Sequence, residues 1–298
     1  RSRGLGDVYK RQHRGLGMTP QGQILLAALL AGLVAIAVTV AIEKFGGLIG
    51  GILGTIPTTI VPAAAFMWLA EPTDVAFQPA MGMVPVGMLL NAIFLWLWRV
   101  LPPKVPDWSF GKRLITITVI NLSVWFGGAA LSVTLFSEQA SMTVGLGALL
   151  IGIILGLWIT LEHRHAPRGH NKVGPLTLAM RGVAAATAIG VAVWLSQLGS
   201  PLLAGMASVF PAIFLTSMVA LWIAQGEDVP SGAVGPMMLG AMSVSFYALL
   251  ATYTLPEFGV IVGSVITWLA SIAAISVPAA FWLRFRANRR VEAQNPAP

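Results

Sequence analysis

The segment GGILGTIP at residues 50–57 and the segment AGMASVFP at residues 204–211 share one pattern of glycine, small residues and proline. The matching positions are 154 residues apart, and the same offset pairs Trp68 with Trp222. Six of the 26 positions in and after these segments are identical. The pattern predicts two related halves, each with a Gly/Pro-broken helix, as in carriers with a site at the membrane midplane. The alternative is two unrelated glycine-rich membrane helices.

The composition places this pattern in a membrane protein. The chain is 56% hydrophobic and 10% charged, with a mean hydropathy of +0.81. Soluble domains contain about 25% charged residues, whereas here the charges fall in short clusters between long apolar runs. Since backbone polar groups in lipid must be paired within each span, the sequence predicts an all-α, polytopic helical membrane protein.

Nine transmembrane helices of about 20 residues are predicted. They lie at residues 23–43, 46–70, 79–101, 114–136, 141–161, 176–198, 201–225, 232–254 and 258–284. Five crossings separate the first span from the sixth, so the halves enter the membrane in opposite senses. The predicted arrangement is therefore an inverted repeat of four, one and four spans. Its parts are a first repeat (18–136), a linker helix and loop (137–175), a second repeat (176–285) and a cytoplasmic tail (286–298).

Loop charges predict the orientation, because cytoplasmic loops carry an excess of lysine and arginine. Nine spans place three basic clusters on one side: Arg99, Lys104, Lys112 and Arg113; Arg164, Arg168 and Lys172; and Arg284, Arg286, Arg289 and Arg290. We therefore expect an N-terminus outside and a C-terminus in the cytoplasm, in a membrane of the bacterial inner (plasma) type.

The N-terminal residues 1–17 are expected to be non-native or disordered. Residues 7–12, DVYKRQ, look like the translation of a sequencing-library adaptor. A native start at Met18 would lower the formal net charge from +7 to +3. Since the remaining positive charge lies mostly in loops, with no basic stripe between aromatic residues, we predict no nucleic-acid partner.

No catalytic pattern occurs in the sequence. Cysteine is absent, which excludes disulfides and thiolate metal sites. There is no Ser/His/Asp pattern, phosphate loop or pair of carboxylates within a span, so we predict no enzyme, no catalytic residues and no cofactor. The segment EHRHAPRGH at residues 162–170 lacks the spacing of a helical metal site. It is predicted to be a solvated loop, and no metal is expected.

The second repeat resembles the small bacterial GlpM-type inner-membrane proteins. The residues that carry the resemblance are PLLAGM at 201–206, VFP at 209–211 and QGE at 225–227, within the stretch from Arg181 to about Tyr253. The resemblance implies a duplicated and fused version of a small membrane protein, and it supplies no substrate. The first copy departs from it with TIP at 55–57. The general plan is also similar to inverted-repeat drug/metabolite-type exporters, by architecture alone.

The two prolines predict the site. A proline lacks the N–H that would bond the carbonyl four residues earlier, so Pro57 frees the carbonyl of Leu53 and Pro211 that of Ala207. We expect a substrate site between spans 2 and 7, lined by Gly54, Thr55, Pro57, Thr58, Thr59, Asn91, Ser208 and Pro211. The alternative is tight packing, with small residues such as Gly205 at helix crossings.

Few other polar residues fall within the spans. Glu43, at the end of the first span, is a candidate coupling carboxylate, and Arg181 is expected to set orientation or contact lipid headgroups. Asn121, Ser243, Ser245 and Tyr247 either line a polar path or bond helix to helix. Trp68 and Trp222 fall near span ends, as in an aromatic belt.

These observations favour a secondary transporter or permease for a small solute. Few charges lie within the spans, so a neutral, amphipathic or anionic solute fits better than a multivalent cation. The second hypothesis is a non-transporting membrane subunit or scaffold that binds partner helices through small-residue faces. The expected partners are the solute and the lipid bilayer, and a homodimer is compatible with the sequence.

Overall fold

The computed structural model of the protein describes residues 19–45, 56–70, 73–136, 141–161, 174–225 and 228–294. In these ranges the chain is helical and contains no strand. The helices are α1 (Pro20–Phe45), α2 (Ile60–Ala70), α3 (Asp74–Val100), α4 (Phe110–Leu135), α5 (Ser141–Leu161), α6 (Pro175–Gln197), α7 (Pro201–Ser208), α8 (Ala212–Gln225), α9 (Asp228–Ser271) and α10 (Val277–Gln294). A 3₁₀ turn at Pro102–Lys104 follows α3, and a π-helical segment at Ile272–Ser276 joins α9 to α10.

The protein is an integral membrane protein by the length and composition of these helices. Seven described helical segments are long and apolar enough to cross a membrane, whereas nine spans were predicted. The second predicted span is described only as the short helix α2, and the last two fall in one apolar segment of 54 residues, Ala233–Arg286. Large apolar side chains cover the outer surface, as contact with lipid requires. They include Leu33, Ile115, Phe126, Ile154 and Ile261, each more than half exposed.

The 54-residue segment is a hairpin. Gly259, in the middle of α9, has a non-helical backbone with φ 76°. The hydroxyls of Thr254 and Thr267 are in contact, although residues 13 positions apart in a straight helix would lie about 20 Å apart. Gly263 also packs against the backbone of Thr254 and Leu255. The chain therefore reverses at Gly259, close to the predicted boundary between the last two spans.

Helix α3 forms the centre of the bundle. Most of its side chains are buried, and it packs against α5, α7, α9 and α4. It begins at Asp74, five residues before the predicted start of the third span at 79. The acidic side chain in the first turn favours a helix N-terminus there, and Pro79 and Pro85 are accommodated inside the helix. Neighbouring helices make such prolines tolerable in membrane helices.

Glycines allow helix α5, the predicted linker, to pack closely on α3 and α9. A Cβ at Gly145 would clash with the carbonyl of Gly82 in α3. A Cβ at Gly156 would lie 3.0 Å from the Cα of Leu239 in α9. Small residues at such crossings let membrane helices approach backbone to backbone. Helix α5 therefore packs between α3 and α9, at the third and eighth predicted spans.

Side chains from α3 and α10 cap the C-terminal end of α5. Arg99 of α3 donates to the carbonyl of Ile159 (3.2 Å), and Arg286 of α10 donates to that of Leu161 (2.9 Å). Trp282 donates to the hydroxyl of Thr160 (2.9 Å). Cations at a helix C-terminus are favourable because the unpaired carbonyls carry partial negative charge. Two of the predicted basic clusters thus meet at one end of the bundle.

Helices α1 and α6 cross antiparallel through small residues. A Cβ at Gly32 would lie 3.3 Å from the Cβ of Ala186. Four residues earlier in α1, Ala28 faces Gly190, and four residues later, Ile36 faces Gly182. At the end of this interface, the amide of Gln197 donates to the carbonyl of Pro20 (3.1 Å).

Candidate functional site

The second broken helix is interrupted at its predicted proline. Helix α7 ends at Ser208 and α8 begins at Ala212, with Val209, Phe210 and Pro211 outside helical geometry. The prediction that the Ala207 carbonyl is free was wrong. The N–H of Phe210 donates a hydrogen bond to it (3.1 Å). The last turn of α7 tightens to a 3₁₀ hydrogen-bond pattern. The residue before Pro211 can therefore donate to the Ala207 carbonyl, although the proline itself cannot.

A side chain from another helix bonds the carbonyl of Val209 instead. The amide nitrogen of Asn91, in α3, donates to it at 2.8 Å. The Asn91 amide oxygen accepts a hydrogen bond from the indole N–H of Trp125, in α4, also at 2.8 Å. Asn91 is 2% exposed, so this chain from α4 through α3 to the break lies inside the bundle.

Aromatic rings pack around the same break. The rings of Trp125 and Phe210 meet edge to face with centroids 5.3 Å apart, and Phe126 lies 5.7 Å from Phe210. Such pairs are more favourable than burial of the same area alone. The break is therefore held by both a polar contact, through Asn91, and an aromatic contact, through Phe210.

The remaining predicted residues of the second half lie at the end of α7. Ser208 is buried and its hydroxyl donates to the carbonyl of Gly205 (2.7 Å), in its own helix. A Cβ at Gly205 would clash with the carbonyl oxygen of Ala80 in α3, which confirms the predicted close backbone approach at this glycine. Pro211 is buried in the break. The structure thus brings Asn91, Ser208 and Pro211 to one place.

The first broken helix is described in part. Residues 56–59 are non-helical and α2 begins at Ile60, three residues after Pro57. The part of the predicted span before residue 56 lies outside the described residues, so the break at Pro57 stays a prediction. Pro57 is buried, while Thr58 and Thr59 are half-buried. Gly54 and Thr55, and the carbonyl of Leu53, lie outside the described residues. Helix α2 packs chiefly against α9, α6 and α1. Among the described residues, no hydrogen bond joins Thr58 or Thr59 to Asn91.

The structure describes the side chain of only one of the two charged residues discussed in the sequence analysis, Glu43 and Arg181. Glu43 lies in the last turn of α1, but its side chain is outside the described part of the structure. Arg181, expected at the headgroups, instead points to the neighbouring helix α8, where it donates to the hydroxyl of Ser217 (2.9 Å). Ser217 is 6% exposed, so the guanidinium reaches the interior of the bundle.

Two tryptophans depart from the sequence interpretation. Trp222 was assigned to an aromatic belt, but it is fully buried against Trp98, with ring centroids 5.7 Å apart. Trp68 is half-buried against Phe77. A residue near the end of a span does not have to face lipid, and the Trp222 side chain faces α3. The sequence offered no signal for this pairing or for the role of Trp125.

No protein-family model matches the chain, and no curated protein or solved structure is significantly similar to it. In the described part of the chain, no group of three or more His, Asp or Glu side chains could hold a metal ion.

Proposed function

We propose that this protein is a secondary transporter or permease that moves a small solute past the two proline breaks. The observation that carries the proposal is the contact of Asn91 with the carbonyl of Val209. Discontinuous helices at membrane depth are tolerated where they are buried in protein or line a cavity, and carriers use them to bind substrates. The proposed lining is the predicted set, with Asn91, Ser208 and Pro211 on the second side and Gly54, Thr55, Pro57, Thr58 and Thr59 on the first.

The packing of α1 on α6 supports an inverted repeat. With an offset of 154, Ala186 is the equivalent of Gly32, which it faces. The pairs Ala28–Gly190 and Ile36–Gly182 exchange under the same offset, because 190 corresponds to 36 and 182 to 28. Any antiparallel crossing exchanges such flanking pairs, so the observation that supports two-fold symmetry is the meeting of Gly32 with its own equivalent inside the interface. Since α1 and α6 run antiparallel, the axis of this symmetry would lie in the membrane plane, as in carriers with inverted repeats.

The bounds of the helices support the same proposal. With the offset of 154, Asp74 at the start of α3 corresponds to Asp228, which is helical in α9. Helix α2 (Ile60–Ala70) corresponds to 214–224, inside α8 (Ala212–Gln225). With α5 as the linker and the reversal at Gly259 as the boundary of the last two spans, four, one and four spans result.

The proposed orientation places the C-terminus in the cytoplasm and the N-terminus outside, in a bacterial inner membrane. Arg99 and Arg286 lie at the same end of α5, and Arg164, Arg168 and Lys172 follow α5 in the sequence. Lysine- and arginine-rich ends face the cytoplasm. The role of Glu43 in coupling, and the relation to GlpM-type proteins as a fused duplicate, remain part of the proposal.

The scaffold hypothesis predicts a conspicuous stripe of small residues facing lipid. The close-packed glycines Gly82, Gly145 and Gly205 face other helices of the same bundle. Outward-facing glycines such as Gly127 and Gly147 do occur, but they lie on different helices, α4 and α5. This surface observation supports the transporter. The scaffold hypothesis also predicts a dry, fully packed core, and the close contacts at Gly205 and Asn91 fit that prediction.

Water access to the breaks tests the proposal. Because the chain has no cysteine, Thr58→Cys and Ala212→Cys each introduce one thiol. In lipid nanodiscs, we expect a water-soluble maleimide to label both, as it labels the exposed loop control Asp107→Cys. Ile154→Cys, on the outer surface of α5 and 64% exposed, should stay unlabelled. If neither Thr58→Cys nor Ala212→Cys reacts while Asp107→Cys is labelled, the result would contradict transport. It would then favour the alternative, in which the helices pack without water between them.

A further inference from the structure

Helix α10 presents one exposed stripe on the outer surface of the bundle. Val277, Phe281 and Phe285 are 37%, 67% and 50% exposed, and Arg284 and Arg289 are exposed as well. Residues three, four, seven and eight positions apart lie on one side of a helix, so these five side chains form a continuous surface. The stripe is apolar in its first turns and becomes basic from residue 284 onward.

The change from apolar to basic marks the boundary between hydrocarbon and water. The apolar segment that begins at Ala233 ends at Arg286, in the turn where the stripe becomes basic. The guanidinium of Arg289 lies over the Phe285 ring, 5.0 Å from its centroid, and that of Arg286 lies 5.9 Å from the centroid of the Trp282 ring. Aromatic rings beside cations are typical of the interfacial layer of a membrane.

This turn of α10 is fixed against the bundle. Arg286 donates to the carbonyl of Leu161, and Trp282 donates to the hydroxyl of Thr160. Both contacts are made on the side of α10 that faces α5, whereas Arg284 and Arg289 lie on the exposed side. The exposed arginines are therefore held at a defined place beside the C-terminal end of α5.

Acidic side chains of the described part of the chain do not neutralise these arginines. In that part, neither Arg284 nor Arg289 forms an ion pair with a carboxylate. Asp74 and Glu257 lie at the opposite end of the bundle, at the start of α3 and beside the reversal of α9. Asp107 is paired within the connection from α3 to α4. The stripe therefore offers two cationic groups to a ligand from outside the chain.

The occupant of this stripe must combine an apolar part with an anionic group at the membrane boundary. An acyl chain matches the apolar surface of Val277 and Phe281, and the oxygens of a phosphate match the guanidinium groups of Arg284 and Arg289. We propose that the stripe is a binding site for an anionic phospholipid, of the chemistry of phosphatidylglycerol. A cluster of arginines directly after a membrane helix attracts such lipids. The site depends neither on transport nor on the proposed orientation.

Lipid-dependent stability of the full chain tests this site. In mixed micelles of detergent and phosphatidylcholine, we expect added phosphatidylglycerol to raise the melting midpoint, because a ligand of the folded state stabilises it. In the double variant Arg284→Gln and Arg289→Gln, the phosphatidylglycerol needed for half of the shift should rise about ten-fold, because two cations that attract the headgroup are lost. Neither arginine donates a hydrogen bond in the described part of the chain, so the variant should fold normally in phosphatidylcholine alone.

The double variant Lys104→Gln and Lys112→Gln is the matched control. Both lysines are exposed, follow α3 at the same end of the bundle, and carry the same total charge as the two arginines. This control should respond to phosphatidylglycerol as the wild type does. A wild type that does not respond, or equal losses in the two double variants, would overturn the site. An equal shift of the wild type with inorganic phosphate would also overturn it, because the ligand would then be a free anion.

Discussion

At the scale of single residues, Asn91 explains how a membrane helix can be broken without leaving a carbonyl unpaired. The amide nitrogen of Asn91 donates the hydrogen bond that α7 and α8 cannot supply to the carbonyl of Val209. The amide oxygen of Asn91 accepts a hydrogen bond from the indole N–H of Trp125. The sequence singled out Asn91 as a polar side chain in an apolar run, and it located the break at Pro211. It could not identify the bonded carbonyl, because the tightening of the last turn of α7 depends on local backbone geometry.

Replacement of Asn91 should therefore destabilise the protein. Asn91→Leu leaves the Val209 carbonyl and the Trp125 indole N–H buried without partners, at a cost of about 2 kcal/mol. Asn121→Leu is the control, because the Asn121 amide donates only to Ile117 in its own helix and its oxygen has no partner. The free energy of unfolding, measured in mixed micelles, should fall for the first variant and change little for the second. Equal losses would argue against a special role of Asn91.

At the scale of helices, glycine positions decide which backbones meet. The proline and glycine pattern predicted the breaks and the close approach at Gly205, because both depend on local chemistry. The partner of each helix was not predictable, since an apolar helix in lipid shows little difference between its buried and its lipid-facing sides. The burial of Trp222 against Trp98 is an example: the sequence placed the residue near a span end, and only packing decides which way the ring faces.

The crossing of α7 on α3 provides a test at this scale. Gly205→Ala would bring a Cβ against the Ala80 carbonyl, and we expect a loss of about 2–3 kcal/mol as the helices separate. Gly127→Ala in α4 meets nothing within 4 Å, so it should gain about 0.5–1 kcal/mol from helix propensity. Thermal unfolding of both variants in the same lipid measures the difference. A Gly205→Ala protein as stable as the wild type would contradict the described crossing.

The reversal at Gly259 provides another test. Its φ of 76° and ψ of 168° lie in a positive-φ region that essentially only glycine adopts, which costs a residue with a Cβ about 1–3 kcal/mol. Gly259→Ala should lower the thermal midpoint accordingly, although a Cβ there meets no neighbouring atom. Gly147→Ala, in a regular helix and equally unobstructed, should not lower it. If both variants melt at the same temperature, the backbone does not need glycine at position 259.

At the scale of the whole molecule, the account depends on the duplication. The sequence carries the signal for the proposed duplication in rare residue types at equal spacing, and α2 (Ile60–Ala70), shifted by 154 residues, falls inside α8 (Ala212–Gln225). The sequence did not reveal which helices of the two halves touch. That arrangement arises from packing, and it places Gly32 against Ala186, its equivalent under the proposed duplication.

Disulfide formation between α1 and α6 tests that arrangement. The Cβ positions of Ala28 and Gly190 are 3.4 Å apart, close to the range of a disulfide. Ala28→Cys with Gly190→Cys, and the related pair Ile36→Cys with Gly182→Cys, should both cross-link on mild oxidation. Ala28→Cys with Gly182→Cys should not, because eight residues of helix separate position 182 from the partner of 28. Cross-linking of the control pair alone would refute the antiparallel register.

Access from both sides of the membrane tests the central claim most directly. Ala212→Cys in the second break would be labelled with a membrane-impermeant maleimide in right-side-out and in inside-out vesicles. The account predicts labelling from each side, with prior labelling from one side blocking the other, since a carrier exposes the same site alternately. Labelling from one side alone, or from neither while Asp107→Cys reacts from its own side, would contradict transport through the broken helices.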